Sequence, residues 1–242
     1  MPAERILILG GTGLARELAE RLVAEGYDVE TSLAGVTEHP LLPQGRIRQG
    51  GFGGAAGLAD YLKAQSIRIL IDATHPFAAQ MSRHAAEAAG NVPLLRLEVP
   101  PWPAGRDWII VQNIGEAVAA LPPSATPLVT IGRKEIAPFL DRTPQGVARM
   151  IEDPGVSFPP GWTLVKARPP FTMDDELSLM RRHGITHLVA KNSGGIAMQG
   201  KLRAADQLGL PVIMVARPAK PGLPCFATAE EISKVLPRLL WP

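Results

Sequence analysis

The chain alternates between two hydrophobic rhythms. Ile6-Leu7-Ile8-Leu9 is an unbroken apolar run, the pattern of a strand buried on both faces. Leu14, Leu18 and Leu22 then recur every four residues beside Ala15, Ala19 and Val23, which predicts a helix closed by Gly26. The pair repeats. Strands are expected over residues 28–33, 46–49, 68–73 and 92–97. Between them lie helices over 55–65, carrying Leu58 and Leu62 on one face, and over 77–89, carrying Phe77, Met81 and Ala85. This order predicts a parallel sheet flanked by helices.

The rhythm stops at "EVPPWPAGRD", residues 98–107, where three prolines and a glycine replace any periodicity. It then resumes, with strands expected over 108–111, 127–131, 146–151, 163–165, 187–191 and 211–215 and helices over 173–183, 195–208 and 228–240. Thr172 with Asp175 three residues on forms a capping box for the first of these helices, and acids precede basic residues along it, as the helix dipole favours. The expected architecture is α/β: two Rossmann-like parallel-sheet domains, 1–98 and 107–242, with a cleft between them and 99–106 as linker.

Composition narrows the class. At 242 residues and 46% hydrophobic, the chain can bury a core without staples. A net charge of +2 gives no argument for nucleic acid. The one cysteine, Cys225, excludes an intrachain disulfide and suggests a reducing compartment. No apolar run approaches a membrane span or a secretory leader, so a cytoplasmic protein acting away from membranes is the expectation; a monomer is the working expectation, although no pattern in the sequence fixes the oligomer. The five histidines show no metal-binding spacing, and no metal site is expected.

Candidate chemistry collects where strands end. After the first strand comes Gly10-Gly11-Thr12-Gly13-Leu14, a glycine turn opening a helix, which suits a dinucleotide diphosphate at the helix N-terminus. Arg16 stands where the usual fingerprint has its third glycine, so the match is partial. The second strand lacks a terminal acid, which favours NADPH over NADH. Ser32 and Thr37 are candidates for the 2′-phosphate with Arg46 or Arg48 neutralising it; equally, the first two are turn residues and the arginines are solvated. "GGFGG", with Gly51, Phe52 and Gly53 at its centre, reads as a close approach to a flat or phosphorylated ligand, against the plainer reading of a turn needing positive φ.

"IDATHPFAAQ", residues 71–80, ends a buried strand in Asp72, Thr74, His75 and Pro76. Pro76 suits the first turn of the next helix, and Thr74 or His75 is placed to cap it. The remaining polarity points to a ligand beyond the carboxyl end of the sheet. In the second half, "AKNSGG" places Lys191, Asn192, Ser193, Gly194 and Gly195 at a corresponding turn. Arg133, Arg168 and Arg217 also follow apolar runs. Cations at several strand ends suggest an acidic ligand; scattered surface charge is the alternative for each alone.

With these motifs in view, the chain resembles the precorrin-6A reductase (cobalt-precorrin-6A reductase) family of cobalamin biosynthesis over nearly its whole length. The likeness rests on "ILILGGTGLARELAERL", "TSLAG", "GGFGG", "DATHPFA", "TIGRKEIAPF" and "KNSGG". Residues 196–202 depart from the family pattern. The resemblance implies NADPH-dependent reduction of one double bond in the carboxylate-bearing macrocycle precorrin-6A, giving precorrin-6B or its cobalt form. It implies NADPH on Gly10–Gly13 and Thr74–Pro76, macrocycle carboxylates on Arg133 and Lys191, and a proton from His75, Lys191 or water. The competing readings are a non-catalytic NADP-binding sensor and a reductase of another small acidic substrate.

Overall fold

A computed structural model describes residues 4–34 and 41–240. Thr37 therefore lies outside the described residues. The chain divides into two compact units, residues 1–100 with 218–242, and residues 101–217.

The first unit is built on a six-stranded, wholly parallel sheet. Its strands are β1 (Arg5–Leu9), β2 (Asp28–Leu33), β3 (Arg46–Gln49), β4 (Ile69–Asp72), β5 (Leu94–Leu97) and a two-residue β12 (Cys225–Phe226), in the order β12-β5-β4-β1-β2-β3. The helices are α1 (Gly13–Ala24), α2 (Gly54–Ala64), α3 (Ala79–Ala88) and α8 (Ala229–Leu240). Because β1 and β4 do not alternate, each serves two cores. Ile6, Ile8, Ile69 and Ile71 pack with Leu18 and Leu22 of α1 and Ile232, Leu236 and Leu240 of α8. Leu7, Leu9 and Leu70 face the other way, onto Leu58 and Leu62 of α2 and Ala85 and Ala88 of α3.

The second unit repeats the plan. Its strands are β6 (Trp108–Val111), β7 (Pro127–Thr130), β8 (Gly146–Met150), β9 (Trp162–Lys166), β10 (His187–Lys191) and β11 (Val212–Val215), in the order β6-β11-β10-β7-β8-β9, again all parallel. Its helices are α4 (Ile114–Ala120), α5 (Ala137–Arg142), α6 (Met173–Arg182) and α7 (Gly200–Gln207). Leu128, Val147, Leu188 and Met214 pack under Leu177 and Met180 of α6 and Leu202 and Ala205 of α7. The Thr172–Asp175 capping box forms as the sequence predicts, and its hydrogen bonds hold the Asp175 carboxyl below its usual range. Among the described residues, no helix is long and apolar enough to cross a membrane.

Three expectations change. The second domain does not run to residue 242: the chain returns at residue 218, β12 joins β5, and α8 completes the core of the first unit. The apolar stripe of α8 is satisfied by the sheet face that α1 leaves open. The helix expected from residue 77 begins at Ala79 with no side-chain cap, so neither Thr74 nor His75 caps it and Pro76 lies in the preceding turn. The helix expected over 195–208 is broken into a 3-10 turn, Ile196–Met198, and α7. The short helices α4 and α5 carry too few turns to show a period.

Candidate active site

Strand register brings the expected motifs of the first unit to one edge. Leu9 is level with Ser32 on one side and Asp72 on the other; Ser32 is level with Arg48, and Asp72 with Arg96. In a parallel sheet all carboxyl ends lie together, so Gly10–Gly13, Ser32, Gly50–Gly54 and Asp72–Pro76 share that edge. Hydrogen bonds tie the turns to each other: Gly10 N donates to Ser32 O at 2.9 Å, Gly50 N to Leu33 O at 2.9 Å and Ala73 N to Leu9 O at 3.0 Å.

The glycines separate by what the chain itself requires of them. A Cβ on Gly10 would stand 2.6 Å from Thr31 Cγ2, and Gly11 has φ +112. Three of the four glycines of "GGFGG", Gly50, Gly53 and Gly54, have positive φ, so the conformational reading accounts for them. Gly13 and Gly51 differ. A Cβ on Gly13 would meet nothing nearer than Arg16 Nη2 at 3.7 Å, and one on Gly51 nothing within 4 Å. Neither has positive φ. The space their missing side chains leave is open, as a ligand approaching the backbone needs.

Thr12 has a structural role. Its hydroxyl accepts from Ala15 N at 3.0 Å as the N-cap of α1 and donates to Ala73 O at 3.0 Å, binding the first turn to the end of β4. The N–H groups of Gly13 and Leu14, in the first turn, have no intrahelical acceptor and point outward from the N-terminus. A diphosphate fits that position.

Ser32 is buried, and its hydroxyl lies 3.5 Å from Arg48 Nη1. The Arg48 guanidinium is otherwise committed: it donates to Gly50 O and Gly51 O at 2.6 and 2.7 Å and stacks on Phe52, 3.8 Å from the ring centroid. Arg48 thus shapes the glycine turn rather than standing in solvent. Arg46 is level with Glu30, back from the edge, and pairs with Asp28 at 2.8 Å, so it is not placed to serve a ligand there. Tyr61 packs edge-on to Phe52 and donates to Glu30 at 2.8 Å; burial, then the Glu30 carboxylate, pushes its phenol up. Gly51, Phe52 and Gly53 form one wall of a recess of about 250 Å³, facing Gln80, Met81 and His84.

Asp72 anchors the fourth turn from beneath. Its carboxylate is fully enclosed and accepts from Thr74 Oγ1 and Ser82 Oγ, both at 2.6 Å, with Arg96 3.6 Å away. Thr74 and Pro76 are buried and His75 is exposed. His75 Nδ1 accepts from Phe77 N at 3.2 Å, which leaves the proton of the neutral ring on Nε2. The His75 carbonyl accepts from Ala78 N and, at 3.4 Å, from Lys220, whose ammonium also pairs with Glu98 at 2.5 Å. Lys220 escapes sequence reasoning because it joins segments 145 residues apart, and the Asp72–Ser82 bond because it depends on how α3 turns back over the end of β4.

In the second unit, Lys191, at the end of β10, pairs with Glu135, and Arg133 pairs with Glu152 at 2.9 Å. Both cations thus have carboxylates of this chain beside them. Asn192 is bound at both ends of its amide: its Oδ1 accepts from Trp102 N at 2.8 Å and its Nδ2 donates to Trp102 O at 3.0 Å. Trp102 Nε1 donates to Gly195 O at 2.8 Å, Arg217 Nε to Asn192 O at 2.8 Å, and Ser193 Oγ to Lys191 O at 3.2 Å. Gly194 and Gly195 take positive φ. Asn192, Ser193 and the glycines therefore form a braced turn, and Trp102, expected in a linker, is its brace.

Deeper, Arg149 and Glu176 make a two-point ion pair at 2.8 and 2.7 Å, with Phe171 stacked on the guanidinium at 3.9 Å. Lys201, in the first turn of α7, is enclosed beside them; burial, then Arg149, pushes its ammonium down to about 8 against the pull of Glu176. A lysine between Gly200 and Leu202 carries no sequence signal of burial.

Similarity to known proteins agrees with this arrangement. The profile of the family described as "Precorrin-6x reductase CbiJ/CobK" matches residues 5–237. A protein named precorrin-6A reductase from Rhodococcus erythropolis is 44% identical over 236 residues, covering 95% of this chain and 94% of that protein. A cobalt-precorrin-6A reductase of Priestia megaterium is 27% identical over 253 residues, covering 96% and 97%. A solved structure, "CobK precorrin-6A reductase", superposes with a TM-score of 0.90 at 40% identity, covering 98% of this chain and 97% of that one. The two parallel sheets, the glycine turns on a shared edge and a family match spanning nearly the whole chain agree: this chain belongs to the precorrin-6x reductase family.

Proposed function

We propose that the chain reduces precorrin-6A to precorrin-6B with NADPH, as a step of cobalamin biosynthesis. The observation that carries the reading is the edge of the first sheet, where Gly13 and Gly51 are glycines the fold itself does not need. They lie among Gly10–Gly13, Ser32, Gly51–Gly53 and Thr74–Pro76, the residues assigned to the dinucleotide. NADPH, when bound, supplies a hydride to the macrocycle's conjugated double-bond system.

The chain's own residues bind and orient. The N–H groups of Gly13 and Leu14 hold the diphosphate at the positive end of α1. Asp72 fixes the turn before His75 through Thr74, and Lys220 fixes its carbonyl, so the exposed ring is presented from a rigid base. His75 is assigned to the nicotinamide side, and the proton that completes the reduced product comes from a protonated His75, from Lys191 or from water. The second unit takes the macrocycle at its "KNSGG" turn, with Lys191 and Arg133 near its carboxylates; their ion pairs to Glu135 and Glu152 must open or be shared for direct contact. Holding the reactants in register contributes through orientation.

Identity favours the cobalt-free macrocycle: the relative named for it is far more similar than the one named for the cobalt form, 44% against 27%. The test is to mix purified protein with NADPH, adding precorrin-6A or cobalt-precorrin-6A. The expected result is NADPH consumption only with macrocycle, faster with the cobalt-free form, and a product heavier by one hydride and one proton. Binding of NADPH with the macrocycle left unreduced would instead make the chain a sensor. Gly13→Glu should abolish NADPH binding while the protein stays folded, because it sets a carboxylate where the diphosphate lies; unchanged affinity refutes the site.

A further inference from the structure

The turn that carries His75 rests on four charges of the first unit. Asp72 and Arg96 are level at the carboxyl ends of β4 and β5, with Arg96 Nε 3.6 Å from Asp72 Oδ2. Glu98, two residues on from Arg96, pairs with Lys220 at 2.5 Å. The side chains of Asp72, Arg96, Glu98 and Lys220 are 0%, 9%, 12% and 7% exposed, so two carboxylates and two cations are withdrawn from water together. Charges so placed are costly unless paired. The two pairs reach the turn by different routes. Asp72 acts through Thr74, accepting from its N–H and its hydroxyl. Lys220 acts directly: its ammonium donates to His75 O at 3.4 Å as well as to Glu98 Oε2.

The fold holds both members of the second pair firmly. Arg96 N donates to Pro224 O and Glu98 N to Phe226 O, each at 2.9 Å, so the end of β5 is tied to the chain just past Lys220. Glu98 lies just before the chain leaves the first unit, and Lys220 just after it comes back. Among the described residues, Glu98 is the carboxylate beside Lys220. Without it the enclosed ammonium would be drawn towards water. The His75 carbonyl would then keep Ala78 N as a donor and lose the charged one.

We propose that Glu98 and Lys220 are a positioning pair for the reduction. Glu98 holds the ammonium, the ammonium holds the His75 carbonyl, and the placement of the turn against the nicotinamide follows. Neither residue need touch a reactant. The proposal rests on the reading of the His75 turn as the nicotinamide side of an NADPH site. It gives a role in the chemical step to two residues that belong to no motif. The effect falls on hydride transfer rather than on affinity. The diphosphate and the macrocycle are assigned to other turns, whereas a small misplacement of reacting atoms costs rate steeply.

The test measures single-turnover oxidation of NADPH by precorrin-6A, with both reactants saturating, alongside their dissociation constants and thermal melting. It compares the unaltered protein, Lys220→Met, and the exchanged pair Glu98→Lys with Lys220→Glu. Lys220→Met should react about 10- to 100-fold more slowly, with both dissociation constants within about threefold of the unaltered protein. It should also melt earlier, because Glu98 is left enclosed without its partner. The exchanged pair re-forms the ion pair but turns a carboxylate towards the His75 carbonyl. It should recover the melting temperature and remain slow. A merely structural pair would behave otherwise: Lys220→Met would lose reaction amplitude with the unfolded fraction while keeping its rate constant, and the exchanged pair would recover everything. An unchanged rate constant in Lys220→Met, a loss confined to affinity, or a full rate in the exchanged pair overturns the proposal. Should Lys220→Met not fold, Glu98→Gln takes its place under the same criteria. If the unaltered protein binds both reactants without oxidising NADPH, the functional reading falls and the positioning role with it. If it turns over and the variant matches its rate, the positioning role alone falls.

Discussion

Gly10 and Gly13 stand three residues apart in one motif, yet the structure gives them different reasons for being glycine. Gly10 faces Thr31, a β-branched, fully buried side chain with little freedom to turn aside. Gly10→Ala should therefore destabilise the protein by about 1–3 kcal/mol, as overpacking does, and lower the melting temperature. Gly13→Ala should leave the melting temperature unchanged and weaken NADPH binding, because its Cβ meets open space where the ligand backbone approach is assigned. Melting curves and cofactor titrations of the two variants check the contrast; equal melting temperatures would remove the distinction. The motif was legible in the sequence, but this division was not, since it depends on what lies across the sheet. The same holds for Asn192 and Lys201. Asn192 reads as a ligand residue and proves to be bound at both ends to Trp102, whereas Lys201 reads as an ordinary helix residue and proves to be enclosed.

At the scale of elements, periodicity succeeded where an element was long enough to show it. Helices α1, α2 and α6 fall within a residue or so of their expected bounds, because each carries an apolar stripe and local end signals. The short α4 shows how an end signal works without a stripe: Asn113 accepts from Glu116 N at 2.9 Å, and Glu116 accepts from Gln112 N at 2.8 Å. Asn113→Ala should lower stability by about 1 kcal/mol, read as a shift in denaturant midpoint with an unchanged slope; no shift would mean that packing alone holds α4. Helix α3 illustrates the opposite failure. Thr74 has the chemistry of a cap, but its hydroxyl goes to Asp72, so the helix starts late and the turn before it remains available to His75.

For the whole molecule, the consequential feature is the return of the chain to its first unit. Residues 218–242 add β12 to β5 and lay Ile232, Leu236 and Leu240 against Ile6, Ile8, Ile69 and Ile71. Burying each large side chain contributes about 1.5–3 kcal/mol, comparable in sum to the stability of a typical domain. Truncation after residue 227 should therefore unfold the first unit and abolish NADPH binding. The melting transition of residues 101–217 should persist, since no core residue there comes from α8. A truncated chain that still binds NADPH would overturn this. The sequence by itself determined the strand and helix rhythm, the parallel α/β class, the glycine turn and the polar strand ends, because these are written in neighbouring residues. It also carried the family resemblance. Only the tertiary structure decided that α8 belongs with the first sheet, that Asp72 anchors the turn before His75 from beneath, and that Arg149, Glu176 and Lys201 share one enclosed space. The physical reason is the same each time. An apolar stripe fits either of two similar sheets, and a charge reads alike whether solvated or enclosed, until distant segments pack around it.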